Sequence, residues 1–257
     1  MLKLVYVIRR LPNLSLEECH SYWRQTHAPL VRQQAATLGL IRYMQVYRID
    51  DPLNEALQAS RGAMEPYDGV AELCWKDQEA LLTSFASPEA TQVGDHLLKD
   101  EQRFIDSPRS ALWLGEDNVV IEGASGRIVA ERESPIVKLV YFFRRLRHLS
   151  LEECQSYWRG THAALVRQHA AALGVLRYVQ VHRLDDPLNE AFRASRTALE
   201  PFDGVAELYW KDQDSLLAAF ATPEGQRAGE ELLEDERRFI DFSRSSLWLA
   251  KEHVVFE

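Results

Sequence analysis

The sequence predicts an α+β protein made of two βαββαβ repeats packed sheet to sheet within one chain. Three observations carry this. The chain repeats itself at a constant offset of 135 residues with no gap. Each copy alternates short runs rich in Val, Ile and Tyr with longer stretches of helical spacing. The resulting order gives a sheet with helices on one face only, so its other face needs cover.

The repeat is read directly. Lys3-Leu4-Val5-Tyr6 returns as Lys138-Leu139-Val140-Tyr141, and Tyr22-Trp23-Arg24 as Tyr157-Trp158-Arg159. Roughly two-thirds of the aligned positions are identical. A period this long is a domain rather than a solenoid unit. The expected organisation is a first repeat over residues 1–122, a linker over 123–136 carrying Gly123, Ser125 and Gly126, and a second repeat over 137–257.

Within the first copy, Leu2 to Ile8 reads as a buried strand. Ser15 with Glu18 three residues on makes a capping box, repeated by Ser150 and Glu153, and opens a helix. Apolar residues then recur at helical spacing until Gly39, placed as a C′ glycine. Pro29 should kink or split that helix just after His27, whereas the second copy has Ala164 there. Ile41 to Ile49 reads as a second strand. Residues 50–66, with Asp50-Asp51-Pro52 and a short helix from Leu53 to Ser60, form an excursion read as a lid or interface loop. Asp68-Gly69 turns into a third strand, Val70 to Trp75. Residues 78–86 and 92–105 read as helices, Ser110 to Leu114 as a fourth strand and Val119 to Ile121 as a further edge strand. This is the split βαβ order of ferredoxin-like folds. The two sheets should face each other as a pseudo-dimer around a barrel-like space.

Composition narrows the function classes. With 46% hydrophobic and 27% charged residues the chain is of ordinary globular type. A formal charge of −9 argues against nucleic-acid or anionic-membrane partners. No run approaches the ~20 apolar residues of a membrane span, and the amino-terminal run is too short for a signal segment. Cys19, Cys74 and Cys154 form neither a zinc spacing nor a disulfide framework, so a cytoplasmic location is expected. The Asp50–Ala56 stretch lacks the ligand pattern of a calcium loop. The scattered glycines make no phosphate cradle. No nucleotide, flavin or metal cofactor is indicated.

Ser21-Tyr22-Trp23-Arg24-Gln25-Thr26-His27-Ala28-Pro29-Leu30-Val31, followed by Arg42-Tyr43-Met44-Gln45-Val46, resembles the EthD-type family of the dimeric α/β-barrel superfamily. The pattern recurs as Trp158, His162, Leu165, Val166 and Arg177-Tyr178-Val179-Gln180-Val181. The resemblance implies a fused version of a two-sheet barrel. It also implies a range of chemistries: cofactor-independent oxygenation, isomerisation, cyclisation, decarboxylation or dehydration.

The residues themselves suggest proton transfer. His27 and His162 each follow a tryptophan by four residues, sharing its helix face, and a histidine can take and return a proton near neutral pH. Tyr43, Gln45 and Tyr47, matched by Tyr178, Gln180 and His182, alternate on one strand face expected to look between the sheets and hold a ligand oxygen. Glu72 and Glu207 sit mid-strand among apolar residues and could act as base or orient a histidine. Trp23 and Trp158 would wall the site. Cys74 and Tyr209, like Tyr47 and His182, differ between copies and would make two half-cavities unequal. The expected activity is cofactor-independent proton transfer on a hydrophobic oxygenated ring compound, with a ligand-binding or oxygenase-accessory protein and a cofactor-free monooxygenase as alternatives. Oligomerisation beyond the intrachain pair is left open.

Overall fold

The computed structural model describes residues 1–123 and 128–257. The first copy runs β1 (Leu2–Ile8), α1 (Leu16–Tyr22), α2 (Ala28–Gln33), β2 (Arg42–Arg48), α3 (Leu53–Arg61), β3 (Gly69–Trp75), α4 (Gln78–Phe85), α5 (Pro88–Glu101) and β4 (Ala111–Ile121). The second runs β5 (Val137–Phe143), α6 (Leu151–Tyr157), α7 (Ala163–Leu173), β6 (Arg177–Arg183), α8 (Leu188–Arg196), β7 (Gly204–Trp210), α9 (Gln213–Ala221), α10 (Pro223–Glu236) and β8 (Ser246–Phe256). Both predicted capping boxes form.

The strands close one antiparallel barrel in the order β1-β3-β2-β8-β5-β7-β6-β4. Closure comes from β4 and β8. Each is a single strand of 11 residues, where two short strands were expected. The first half of β4 pairs with β1, and the second half, from Gly115, passes to β6 of the other copy. β8 does the same from β5 to β2. No free sheet edge remains, which removes the usual site of unwanted strand pairing.

The barrel holds packed side chains rather than an open space between sheets. Val5, Val7, Met44, Val46, Trp113, Phe142 and Trp248 fill one part of it, with the Phe142 and Trp248 rings stacked 5.2 Å apart. The other part holds Lys3, Lys138, Glu72, Glu207, Glu252 and Tyr209, all buried. Lys138 Nζ lies 2.8 Å from Glu252, 3.1 Å from Glu207 and 3.5 Å from Glu72, while Lys3 Nζ lies 2.9 Å from Glu72.

The helix after β1 is interrupted, but not by Pro29. A π-helical segment spans Trp23–His27 in the first copy and Trp158–His162 in the second, where residue 164 is alanine. The wide turn is therefore built into both copies, and Pro29 falls harmlessly in the first turn of α2, where its missing N–H costs nothing. The excursion is the element that joins the halves. Asn54 Nδ2 donates to Ile49 O while Asn54 Oδ1 accepts from Leu249 N of the other copy, and Asn189 repeats this with Leu184 and Leu114. α3 and α8 thus each lie over the opposite half. In the predicted linker, Ser125 and Gly126 lie outside the described residues. Ile128 and Ala130, however, are buried against Tyr209, and Ala130 N donates to Glu252. That stretch is not wholly a surface connection. Among the described residues, no helix is long and apolar enough to cross a membrane.

Candidate functional site

Because successive side chains on a strand point to opposite sides, the closed barrel sorts the candidate residues in two. On β2, Met44 and Val46 point into the barrel, and Tyr43, Gln45 and Tyr47 point out toward the helices. This reverses the expected assignment. Sheet-to-sheet packing was expected to leave a polar-lined space, but the interior is apolar over much of its length, and Met44 and Val46 suit it. Glu72, Glu207, Cys74 and Tyr209 share that interior, on the opposite side of the sheet from the histidines.

Two cavities lie instead between the outer face of each half-sheet and its helices. The first, about 390 Å³, is lined by Tyr6, Trp23, His27, Tyr43, Trp75 and Glu101, and is covered by Leu188, Phe192 and Arg196 of α8. The second, about 480 Å³, is lined by Tyr141, Trp158, His162, Tyr178, Trp210 and Glu236, and is covered by Leu53, Leu57 and Arg61 of α3. Each cavity therefore takes its lid from the other copy. Each lid is fastened by a two-pronged ion pair: Arg61 Nε and Nη2 lie 2.8 and 2.9 Å from Glu236, and Arg196 repeats this on Glu101. Such forked pairs fix geometry as well as charge. The walls are otherwise apolar, as small-molecule sites usually are.

The π turn brings Trp23 and His27 together on the cavity side. Gln45 Nε2 donates to the Trp23 carbonyl at 3.1 Å and to Tyr43 Oη at 2.9 Å, and Trp23 Nε1 also donates to Tyr43 Oη at 2.9 Å. Gln180, Trp158 and Tyr178 repeat the arrangement. Tyr43 and Tyr178 thus reach the cavities. Gln45 and Gln180 stand behind them as braces for the helix, held in turn by Tyr47 and by His182, whose Nε2 is 3.0 Å from Gln180. Burial pushes the His182 pKa down to about 3, so it remains neutral.

The group that orients each histidine is one that the sequence reading missed. His27 Nδ1 lies 2.8 Å from Asp100 Oδ2, and His162 Nδ1 lies 2.8 Å from Asp235 Oδ2. Tyr22 and Tyr157 donate to the second carboxylate oxygen at 2.6 and 2.5 Å. The hydrogen bond from His27 holds the Asp100 carboxyl below its usual range. At Asp235 burial opposes ionisation, but the bonds from His162 and Tyr157 outweigh it and hold the pKa low. An ionised carboxylate only accepts, so Nδ1 carries the proton and Nε2 of the neutral ring keeps its basic lone pair. Nε2 has no hydrogen-bond partner among the described residues, and both histidines line cavities. The available signal was a buried position on the otherwise amphipathic α5, identical in both copies.

Fold and site together define a pseudo-dimeric α/β barrel with two small-molecule-sized cavities, each carrying a Tyr–Asp–His chain. The chain belongs to the EthD family, whose EthD domain matches it twice, over residues 11–108 and 146–243. No curated protein matches it in sequence. Among solved structures, an anthrone oxidase-like protein is 11% identical, covering 100% of this chain and 93% of its own with a TM-score of 0.59. An EthD family protein from Bacillus halodurans C-125 is 21% identical over 44% of this chain and 95% of its own, with a TM-score of 0.32. A cofactor-independent oxygenase from Streptomyces nogalater is 20% identical over 45% of this chain and 91% of its own, with a TM-score of 0.28.

Proposed function

We propose that the protein is a cofactor-independent enzyme that moves a proton on an apolar, oxygenated ring compound held in these cavities. The observation that carries this is an Asp-oriented histidine in the wall of a largely apolar cavity, with no hydrogen-bond partner at Nε2 among the described residues. Nε2 would take a proton from a ring C–H made acidic by a conjugated carbonyl. The imidazolium, stabilised by Asp100 or Asp235, would return it at another carbon or at oxygen. Isomerisation, cyclisation and dehydration share this step, and decarboxylation shares its second half, the delivery of a proton to the carbon that has lost CO₂. Tyr43 and Tyr178 contribute cavity wall and a hydroxyl, and Trp23 and Trp158 contribute a flat apolar surface.

The test uses anthrone, a tricyclic ketone whose ring carbon opposite the carbonyl bears an acidic hydrogen. Incubation in D₂O without oxygen should give protein-dependent deuterium uptake at that carbon by NMR, reduced about 100-fold or more in His27→Gln/His162→Gln. Unchanged exchange in that double variant would reject acid–base catalysis by the histidines. Measuring oxygen consumption in air separates the cofactor-free oxygenase reading, because only that reading requires stoichiometric O₂ loss.

A further inference from the structure

The two cavities match residue for residue except at a few points, and one of these changes their hydrogen bonding. In the first cavity Tyr6 Oη is 3.5 Å from Ser107 Oγ. In the second, Tyr141 is the counterpart, but residue 242, at the position of Ser107, is phenylalanine. Tyr141 is only 5% exposed, lines the cavity, and its hydroxyl meets no partner among the described residues. The charged groups acting on that hydroxyl are the Glu236 carboxylate, which makes no hydrogen bond to it, and the Arg61 guanidinium, 5.4 Å from the ring centroid. Arginine can only donate, so it cannot accept the Tyr141 proton. Its own Nε and Nη2 are engaged by Glu236, and its Nη1 is 3.1 Å from Ser60. A buried donor left without an acceptor is costly, and such a group in a cavity wall marks where a ligand's acceptor belongs.

We infer that the second cavity is the binding site for an aromatic ketone, whose carbonyl oxygen accepts from Tyr141 Oη while the ring lies against Trp158 and reaches His162. This rests on the proton-transfer reading and adds the substrate class and the half that holds it. Burial pushes the Tyr141 hydroxyl well above the ordinary tyrosine range, so it stays a neutral donor. The larger second cavity agrees: its lid carries Leu57 where the first lid carries Phe192, whose ring packs 5.6 Å from Phe85. The site is incomplete without the first half, which supplies α3 and Arg61.

The test compares anthrone with dihydroanthracene, the same ring system without the oxygen, bound anaerobically and followed by tryptophan fluorescence. The intact protein should prefer anthrone by about tenfold, the worth of one buried hydrogen bond. It should also shift the bound carbonyl stretch to lower wavenumber. Tyr141→Phe should abolish both the preference and the shift, and Tyr6→Phe should change the preference by less than about twofold. Equal effects of the two substitutions, an undiminished preference in Tyr141→Phe, or no preference in the intact protein would overturn the inference. The double variant His27→Gln/His162→Gln separates the two readings. Anthrone preference kept with exchange unchanged refutes histidine catalysis alone. Exchange lost in the double variant but preference indifferent to Tyr141 refutes the carbonyl site alone.

Discussion

Glu207 is the group on which the acid–base behaviour of the barrel interior turns. It is fully enclosed beside Lys138, with Glu72 and Glu252 on the same ammonium. Burial raises its pKa first, and the Glu72 carboxylate adds to the rise, so that Glu207 titrates near 7 instead of 4.5. Glu72, also opposed by burial, is held ionised by Lys3 and Lys138, well below its usual range. The folded protein therefore binds a proton at Glu207 that the unfolded chain releases at lower pH. The stability this confers is complete below pH 4.5 and disappears as pH rises through 7. That rise corresponds to about 3 kcal/mol, most of which falls between pH 5 and pH 8.5. His182 works in the opposite direction. It is buried neutral with a pKa near 3, and its contribution is lost as pH falls below the ordinary histidine value of 6.5. The total pH profile is therefore a sum of opposed terms, and a difference between two proteins is needed. Glu207→Gln keeps a neutral group of the same shape and cannot titrate. Urea unfolding at pH 5, 6, 7 and 8.5 should show the variant gaining about 2–3 kcal/mol on the parent across that range. A constant difference at every pH would show that Glu207 is ionised throughout, and the described charge distribution would be wrong.

Four further outcomes follow. Asp100→Asn combined with Asp235→Asn should lower anthrone exchange roughly tenfold or more with little change in binding, because the amides no longer hold Nδ1 as a donor; unchanged exchange would deny the two aspartates a positioning role. Arg61→Ala leaves Glu236 mostly buried and unpaired beneath the lid, and should destabilise by about 3 kcal/mol in denaturant unfolding. Gly204→Ala would place a methyl 2.6 Å from the Trp158 ring, and should destabilise by about 1–3 kcal/mol while shifting the tryptophan near-UV signal. Val7→Phe and Phe142→Val should each destabilise by about 1–3 kcal/mol, but their combination should recover part of the loss, because the barrel has room for one phenylalanine at the paired positions; simple additivity would count against that.

Much of the fold was legible because local signals agreed with one another. The capping boxes at Ser15 and Ser150, the turn at Asp68-Gly69 and the alternation on β2 were each read from a few residues. The inner and outer faces of the strands were not. Tyr43, Gln45 and Tyr47 are polar and so were assigned to a ligand space, while Met44 and Val46 were given to the helices. In a closed barrel the interior has the smaller volume and must be filled, and the aliphatic residues go there. The outer face can hold tyrosine and glutamine because helix carbonyls, such as that of Trp23, supply partners. Asp100 and Asp235 escaped notice for a related reason: an acidic residue on a helix is ordinarily a solvent-facing one. Only the docking of α5 against the π turn, 73 residues away in sequence, makes it a partner of histidine.

The fused arrangement also explains where the copies differ. In a symmetric dimer every substitution near the axis appears twice, so a phenylalanine at position 7 would meet its own image across a barrel already holding two tryptophans. Joining the halves removes that constraint. The chain has Val7 opposite Phe142 and Cys74 opposite Tyr209 in the barrel, and Asp117, exposed and 2.8 Å from Lys3, opposite the buried Glu252, and each larger member belongs to the second copy. Tyr209 and Glu252 are bonded to each other at 2.9 Å, so these two changes form one unit with Lys138. Outside the barrel the same freedom gives Ser107 opposite Phe242 and Phe192 opposite Leu57, which leave one cavity roomier and with an unanswered hydroxyl. Those two substitutions lie on different elements and in opposite copies, yet both act on the same cavity, because each lid belongs to the other half. Divergence of the two sites therefore depends on the crossed lids as much as on the duplication itself.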